Sequence, residues 1–205
     1  MKKVLFAAVV GLLFVGCAPK NVVKLKRDAA AAEPIAGWYA RDEGAYSIWV
    51  PENYQVPKNA GMSVGDLQNL SNPAVGYGMA PGEESTTANA ALVLDDKSYK
   101  PIPGEPSTGL TVNVSKRGGG ADLEGEAKKI KDDLLNEESM KLDLAVGPAY
   151  EIKHRSKSVG GDDIWRMIYI ICDGESVYRF DFTTTNGASV ISNVAPGVIQ
   201  SFRVK

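Results

Sequence analysis

Histidine and cysteine, the side chains that most metal sites and nucleophilic or acid–base centres depend on, are nearly missing from this chain. It has one histidine, His154, and two cysteines, Cys17 and Cys172. A single imidazole supports neither a His-based zinc site nor a Ser-His-Asp triad with spare orienting groups. Basic charge is not in surplus either: 23 Lys and Arg stand against 25 Asp and Glu, with no basic stripe. That argues against nucleic acid as a partner. Long apolar runs are also lacking. The longest, Val4–Val15, would be only ~18 Å long as a helix, short of a ~30 Å hydrocarbon core. No phosphate loop is present, because Gly118-Gly119-Gly120 follows Lys116-Arg117 without the spaced Gly and the Lys-Ser/Thr pair that cradle phosphates.

What is present begins at the start. Met1-Lys2-Lys3, the apolar run and a small residue before Cys17 follow the secretory pattern of charged region, apolar core and cleavage site. Phe14-Val15-Gly16-Cys17 resembles the lipobox of bacterial lipoproteins. Gly16 and Cys17 fit that motif, while Phe14 and Val15 are bulkier than its usual Leu and small residue. The resemblance implies that the Cys17 thiol accepts a diacylglycerol before residues 1–16 are removed. Cys17 is therefore the expected lipid-attachment residue. Ala18 in place of Asp resembles the outer-membrane sorting signal of double-membrane bacteria. Without the first sixteen residues, which hold two lysines and no acidic residue, 189 remain with 21 basic against 25 acidic, a net of −4. With Cys17 acylated, Cys172 has no partner for an intramolecular disulfide, and the fold must stand on packing. A hydrophobic fraction of 44% supports a core for one domain.

Residues 17–36 read as a lipidated N-terminus and flexible tether, with Lys20, Lys24, Lys26 and Arg27 close to the lipid, where anionic head groups would attract them. An ordinary solvated linker accounts for the same residues. From Ala45 the pattern changes. Tyr46, Ile48 and Val50 alternate with Ser47 and Trp49 up to Pro51, which predicts a strand. Residues 57–90, rich in Gly, Asn, Pro and Ser, predict a loop that is long for a compact domain. Ala91–Leu94 predicts a short strand stopped by Asp95-Asp96, and Leu110, Val112 and Val114 mark another. Asp122 is placed to cap a helix from Leu123, with Ala127, Ile130 and Leu134 at helical spacing. Tyr150–Ser156 and Ile164–Cys172 predict strands, the second apolar on both faces and so central and covered on both sides. Asp173-Gly174 signals a hairpin into Ser176–Thr184, where Tyr178, Phe180 and Phe182 alternate with Val177, Arg179 and Asp181. Pro196 suits the first turn of a short closing helix with Val198, Ile199 and Phe202 on its apolar side.

The expected class is α+β, an antiparallel sheet flanked by helices, in one domain over residues 37–205. Three short stretches carry a family resemblance: Tyr46-Ser47-Ile48 leading to Pro51 and Tyr54, the Tyr178–Phe182 strand, and Ser201-Phe202. With this element order, residues 45–205 resemble the PsbP-like fold shared by PsbP, the Ran-binding Mog protein and the DcrB-like bacterial lipoproteins. The resemblance implies a PsbP-like α/β/α sandwich that docks on larger assemblies without catalysis. The loop at 57–90 departs from the compact family pattern. Fold alone does not fix function.

No residue stands out as catalytic, cofactor-binding or metal-ligating. His154 reads as a partly exposed strand residue and Cys172 as a buried structural thiol. The pairs Asp95-Asp96, Asp132-Asp133 and Asp162-Asp163 lack the alternating spacing of a calcium loop and read as surface pairs. Trp38, Trp49 and Trp165 read as core. The expectation is a non-enzymatic, lipid-anchored envelope protein, facing the periplasm from the outer membrane in a cell with two membranes. It would bind or assemble an envelope protein complex, with no cofactor beyond the acyl chains on Cys17. The alternative expectation is a lipoprotein that binds a small ligand or metal ion through the long loop and the acidic turns.

Overall fold

The computed structural model describes residues 24–27, 29–57, 90–100, 105–117, 120–134, 137–174 and 176–205. Cys17, the signal region and nearly all of the expected loop lie outside the described residues. Strands β1 (Trp38–Asp42) and β2 (Tyr46–Pro51) form a hairpin, and the last strand, β10 (Arg203–Val204), adds to the free side of β2. The main sheet has seven strands. They are β3 (Tyr54–Gln55), β4 (Ala90–Asp96), β5 (Gly109–Lys116), β6 (Glu137–Leu144), β7 (Gly147–Lys157), β8 (Asp163–Asp173) and β9 (Ser176–Thr184). Their order is β3-β4-β5-β9-β8-β7-β6, antiparallel throughout.

The α+β expectation therefore holds at the level of an antiparallel sheet with a few helices. Helix α1 (Leu123–Asp133) lies on one face of the large sheet, where Leu123 and Ala127 meet Ile152, Ile168, Ile170, Cys172 and Val177. The opposite face is covered by the small sheet and two short helices, α2 (Ala188–Ser192) and α3 (Ala195–Ser201). Much of that second flank is thus sheet rather than helix. Period-2 alternation explains the arrangement: Tyr178, Phe180 and Phe182 point to the small sheet, and Ile168, Ile170 and Cys172 point to α1. Residues Met167 to Cys172 are buried without a break, as expected of a strand covered on both sides.

An aromatic cluster joins the two sheets. The Phe202 ring lies 5.1 Å from Tyr178 and 5.3 Å from Phe180, both edge-to-face, and Tyr46 sits 5.9 Å from both Tyr178 and Phe202. Such pairs add to what area burial alone contributes. Asp122 caps α1 as expected, accepting from the backbone N–H groups of Glu124 and Gly125. Pro196 falls in the first turn of α3.

Several elements differ from the sequence reading. Asp95 and Asp96 do not stop β4 but belong to it, because the buried Asp96 carboxylate accepts from Asn53 Nδ2 at 2.6 Å and Ser98 N at 2.9 Å. Strand β6 was not expected; as the outermost strand it exposes Glu138 to Lys141, so its apolar alternation is weak. Strands β1 and β10 and helix α2 were likewise not expected. At the hairpin, Asp173 is still paired, opposite Ser176, and Gly174 takes φ +55°, so the turn sits one residue later than read.

Candidate functional site

Helix α1 covers only part of its face of the large sheet. Beside it the face turns polar, and three charged side chains meet there. Antiparallel register sets Ile168 opposite Asp181 and Ile170 opposite Arg179, with Arg166 two residues before Ile168 on the same face. Arg166 donates through Nε at 3.2 Å and through a terminal nitrogen to the two oxygens of Asp181. Arg179 donates at 3.0 Å, and the Thr183 hydroxyl at 3.3 Å. The Asp181 side chain is 7% exposed and that of Arg166 11%, against 35% for Arg179. Burial by itself would raise the Asp181 carboxyl, but the two guanidiniums outweigh it and hold the group below the usual carboxylate range. The Asp181 charge also raises Arg166 despite burial.

A shallow depression opens next to this cluster, lined by Val93, Asp95, Ser107, Thr111, Asp181 and Thr183 among others. Next in sequence to its lining residues, the buried Thr108 and Thr184 share a hydrogen bond of 2.9 Å, and Asn186 Nδ2 donates to Thr108 at 2.9 Å. These groups hold one another. The charged cluster ties β8 to β9 and presents part of Arg179 to solvent as a hydrogen-bond donor.

The residues singled out from sequence are scattered rather than gathered. His154 is half-buried on β7. Cys172 is fully buried under α1, and burial, with smaller contributions from Glu126 and Asp122, pushes its thiol up to about 12. Asp132 and Asp133 are exposed at the end of α1. Asp163 accepts from Arg155 at 2.5 Å and pairs with Lys157 at 2.8 Å; these partners lower its carboxyl to about 2. Trp38 and Trp165 pack on the core, and the Arg155 guanidinium stacks 4.5 Å from the Trp165 ring. Among the described residues no three His, Cys, Asp or Glu side chains come together as a metal-holding group. Among them, too, no helix is long and apolar enough to cross a membrane.

A second built feature lies in the stretch read as tether. Leu25 is 6% exposed, and its side chain packs against Gly147 so closely that an added Cβ there would meet Leu25 Cδ2 at 2.9 Å. Leu25 N donates to Asp173 Oδ1 at 3.0 Å, and Lys26 N donates to the Val146 carbonyl at 2.8 Å. Arg27 pairs with Asp173 at 3.4 Å, and Arg203 Nε donates to the Ala30 carbonyl at 2.6 Å. Residues 24–27 and 29–30 thus form a strap on the domain, from the β8–β9 turn to the C-terminal strand.

The sequence reading missed both features. The signal for the cluster was Arg166 in phase with the inward-facing Ile168 and Ile170 of β8, and Asp181 in phase with the inward-facing Val177 of β9. For the strap it was a lone leucine between Lys24 and Lys26, too short a signal for periodicity. No protein-family model matches the chain, and a comparison with curated proteins finds no relative.

Proposed function

We propose that this chain is a lipid-anchored protein of the bacterial cell envelope, acylated at Cys17, whose domain binds or helps assemble an envelope protein complex and does no catalysis. The observation that carries the reading is the order Lys2-Lys3, apolar run, Gly16-Cys17, in which one thiol follows a short apolar core and a small residue. A PsbP-like sandwich is the domain architecture this reading adopts. In its support, the stretches on which the resemblance rests converge: Tyr46, Tyr178, Phe180 and Phe202 form one aromatic cluster.

Metabolic labelling with an alkyne fatty acid tests the anchor. The full chain takes up label and sediments with membranes, whereas Cys17→Ala takes up none and accumulates as unprocessed or soluble protein. Equal labelling of the two would overturn the assignment. In-cell crosslinking of the wild type followed by mass spectrometry tests the docking role, and recovery of no envelope protein would remove it.

A further inference from the structure

If Cys17 carries lipid, the strap decides how far the domain stands from the membrane. A tether free up to residue 36 spans roughly twenty residues, or ~65 Å extended at ~3.3 Å per residue. Leu25 is instead buried against Gly147 and hydrogen-bonded to Asp173, only eight residues after Cys17. Eight residues reach ~26 Å at most. The point of entry is also one particular end of the large sheet. There β8 stops at Asp173 and β9 begins at Ser176, β7 begins at Gly147, and β5 ends at Lys116, opposite Ser176.

The charge at that end suits an anionic surface. Lys24, Lys26 and Lys116 are exposed, and none forms an ion pair among the described residues; Arg27 is exposed and paired only at 3.4 Å with Asp173. The neighbouring carboxylates among the described residues are engaged: Asp173 by the strap, Asp122 by the N-terminus of α1, and Glu124 by Lys141 and Tyr150. Asp143 is the exposed exception among the described residues; Asp28 of the strap and Glu175 of the turn lie outside them. At the opposite end Arg155 and Lys157 are instead both paired with Asp163. Clustered lysines near a lipid anchor supply the second signal that stable attachment to an anionic leaflet uses.

We propose that the strap seats the β8–β9 turn end of the sheet on the membrane, with Lys24, Lys26 and Lys116 against anionic lipid head groups. This rests on the lipid anchor at Cys17. The opposite end, around the β7–β8 turn, then faces away from the bilayer, since β8 runs eleven residues, or ~35 Å, between the two. Partners would approach from that side.

The test uses the lipidated protein purified from membranes, in which Cys17 is acylated and Cys172 is buried. A single exposed cysteine is introduced either at the strap end (Ala145→Cys) or at the far end (Val159→Cys), each carrying a fluorescent dye. Vesicles of phosphatidylethanolamine and phosphatidylglycerol carry a quencher on their head groups. The Ala145 dye is expected to be quenched severalfold more than the Val159 dye. The difference shrinks in phosphatidylcholine vesicles, in ~1 M salt where screening falls to ~3 Å, and in a Lys24→Gln/Lys26→Gln/Lys116→Gln variant, whose surface substitutions leave the fold intact. Leu25→Asp frees the strap and equalises the two dyes. Mass spectrometry of the N-terminal peptide separates the two failures. An unacylated Cys17 overturns the anchor and this inference together, whereas an acylated protein with equally quenched dyes overturns this inference alone.

Discussion

Asp181 is the residue on which the polar half of the main sheet depends. It is buried between two guanidiniums, and removing its charge leaves Arg166 desolvated and uncompensated. Asp181→Asn is expected to cost about 3–5 kcal/mol, read as a lower urea midpoint, the usual penalty for half of a buried pair. Replacing both partners, as in Arg166→Met/Asp181→Leu, is expected to recover much of that loss, because neither charge is then left buried alone. The sign of the pH dependence follows from the lowered carboxyl. Its contribution is complete above the ordinary Asp value of ~3.9 and is lost as pH falls through the lower folded value. The stability gap between wild type and Asp181→Asn should therefore be full at neutral pH and narrow below about pH 4. A gap that does not change with pH would remove the ion cluster from the account. Cys172 is legible from sequence in a way that Asp181 is not. An apolar residue in an apolar strand reads as buried whatever its partners, and its thiol, raised to about 12, should resist iodoacetamide in a folded Cys17→Ala chain until urea exposes it. A charged residue in the same phase reads as a contradiction until the facing strand supplies its counter-charge.

Among the elements, helix α1 is the one whose local signals agree with its surroundings. Asp122 caps it, and Leu123 and Ala127 face the isoleucines of the sheet. Asp122→Ala is expected to cost about 1 kcal/mol, measured by denaturant titration, with the fraying confined to the first turn in hydrogen exchange. Strands β4 and β5 depend on a single glycine. A Cβ on Gly109 would run into the Leu94 carbonyl oxygen and lie 3.1 Å from Asp95 Cα, both backbone atoms of the paired strand. Gly109→Ala should therefore destabilise by about 1–3 kcal/mol and lower amide protection along β4. Loss of protection elsewhere, with β4 intact, would contradict that assignment. Period-2 apolar alternation made β2, β5, β8 and β9 readable because each has a face in the core. It failed for β6, an edge strand with little to bury, and for β10, two residues long and present only because β2 offers an open edge.

At the scale of the whole molecule, the question is how a domain whose described residues gather no metal-holding group is presented to its surroundings. The lipobox-like start predicts membrane attachment that Cys17→Ala abolishes, and the strap predicts that Leu25→Asp leaves attachment intact while loosening the domain from the bilayer. Membrane fractionation together with the two-dye comparison separates these outcomes. By itself the sequence determined the periodic strands of the large sheet, the capped helix and the closing helix around Pro196, and it holds the lipobox-like start on which the proposed anchor rests. Each of these is written in residues that are neighbours along the chain, where spacing and local chemistry suffice. Only the tertiary structure decided that a small sheet covers much of one face, that Arg166 and Arg179 share the Asp181 carboxylate, and that Leu25 turns a stretch read as tether into part of the domain. These depend on partners far apart in sequence, as Leu25 N and Asp173 are, separated by 148 positions. Burial and charge pairing across such distances follow from chain topology, which no local pattern encodes.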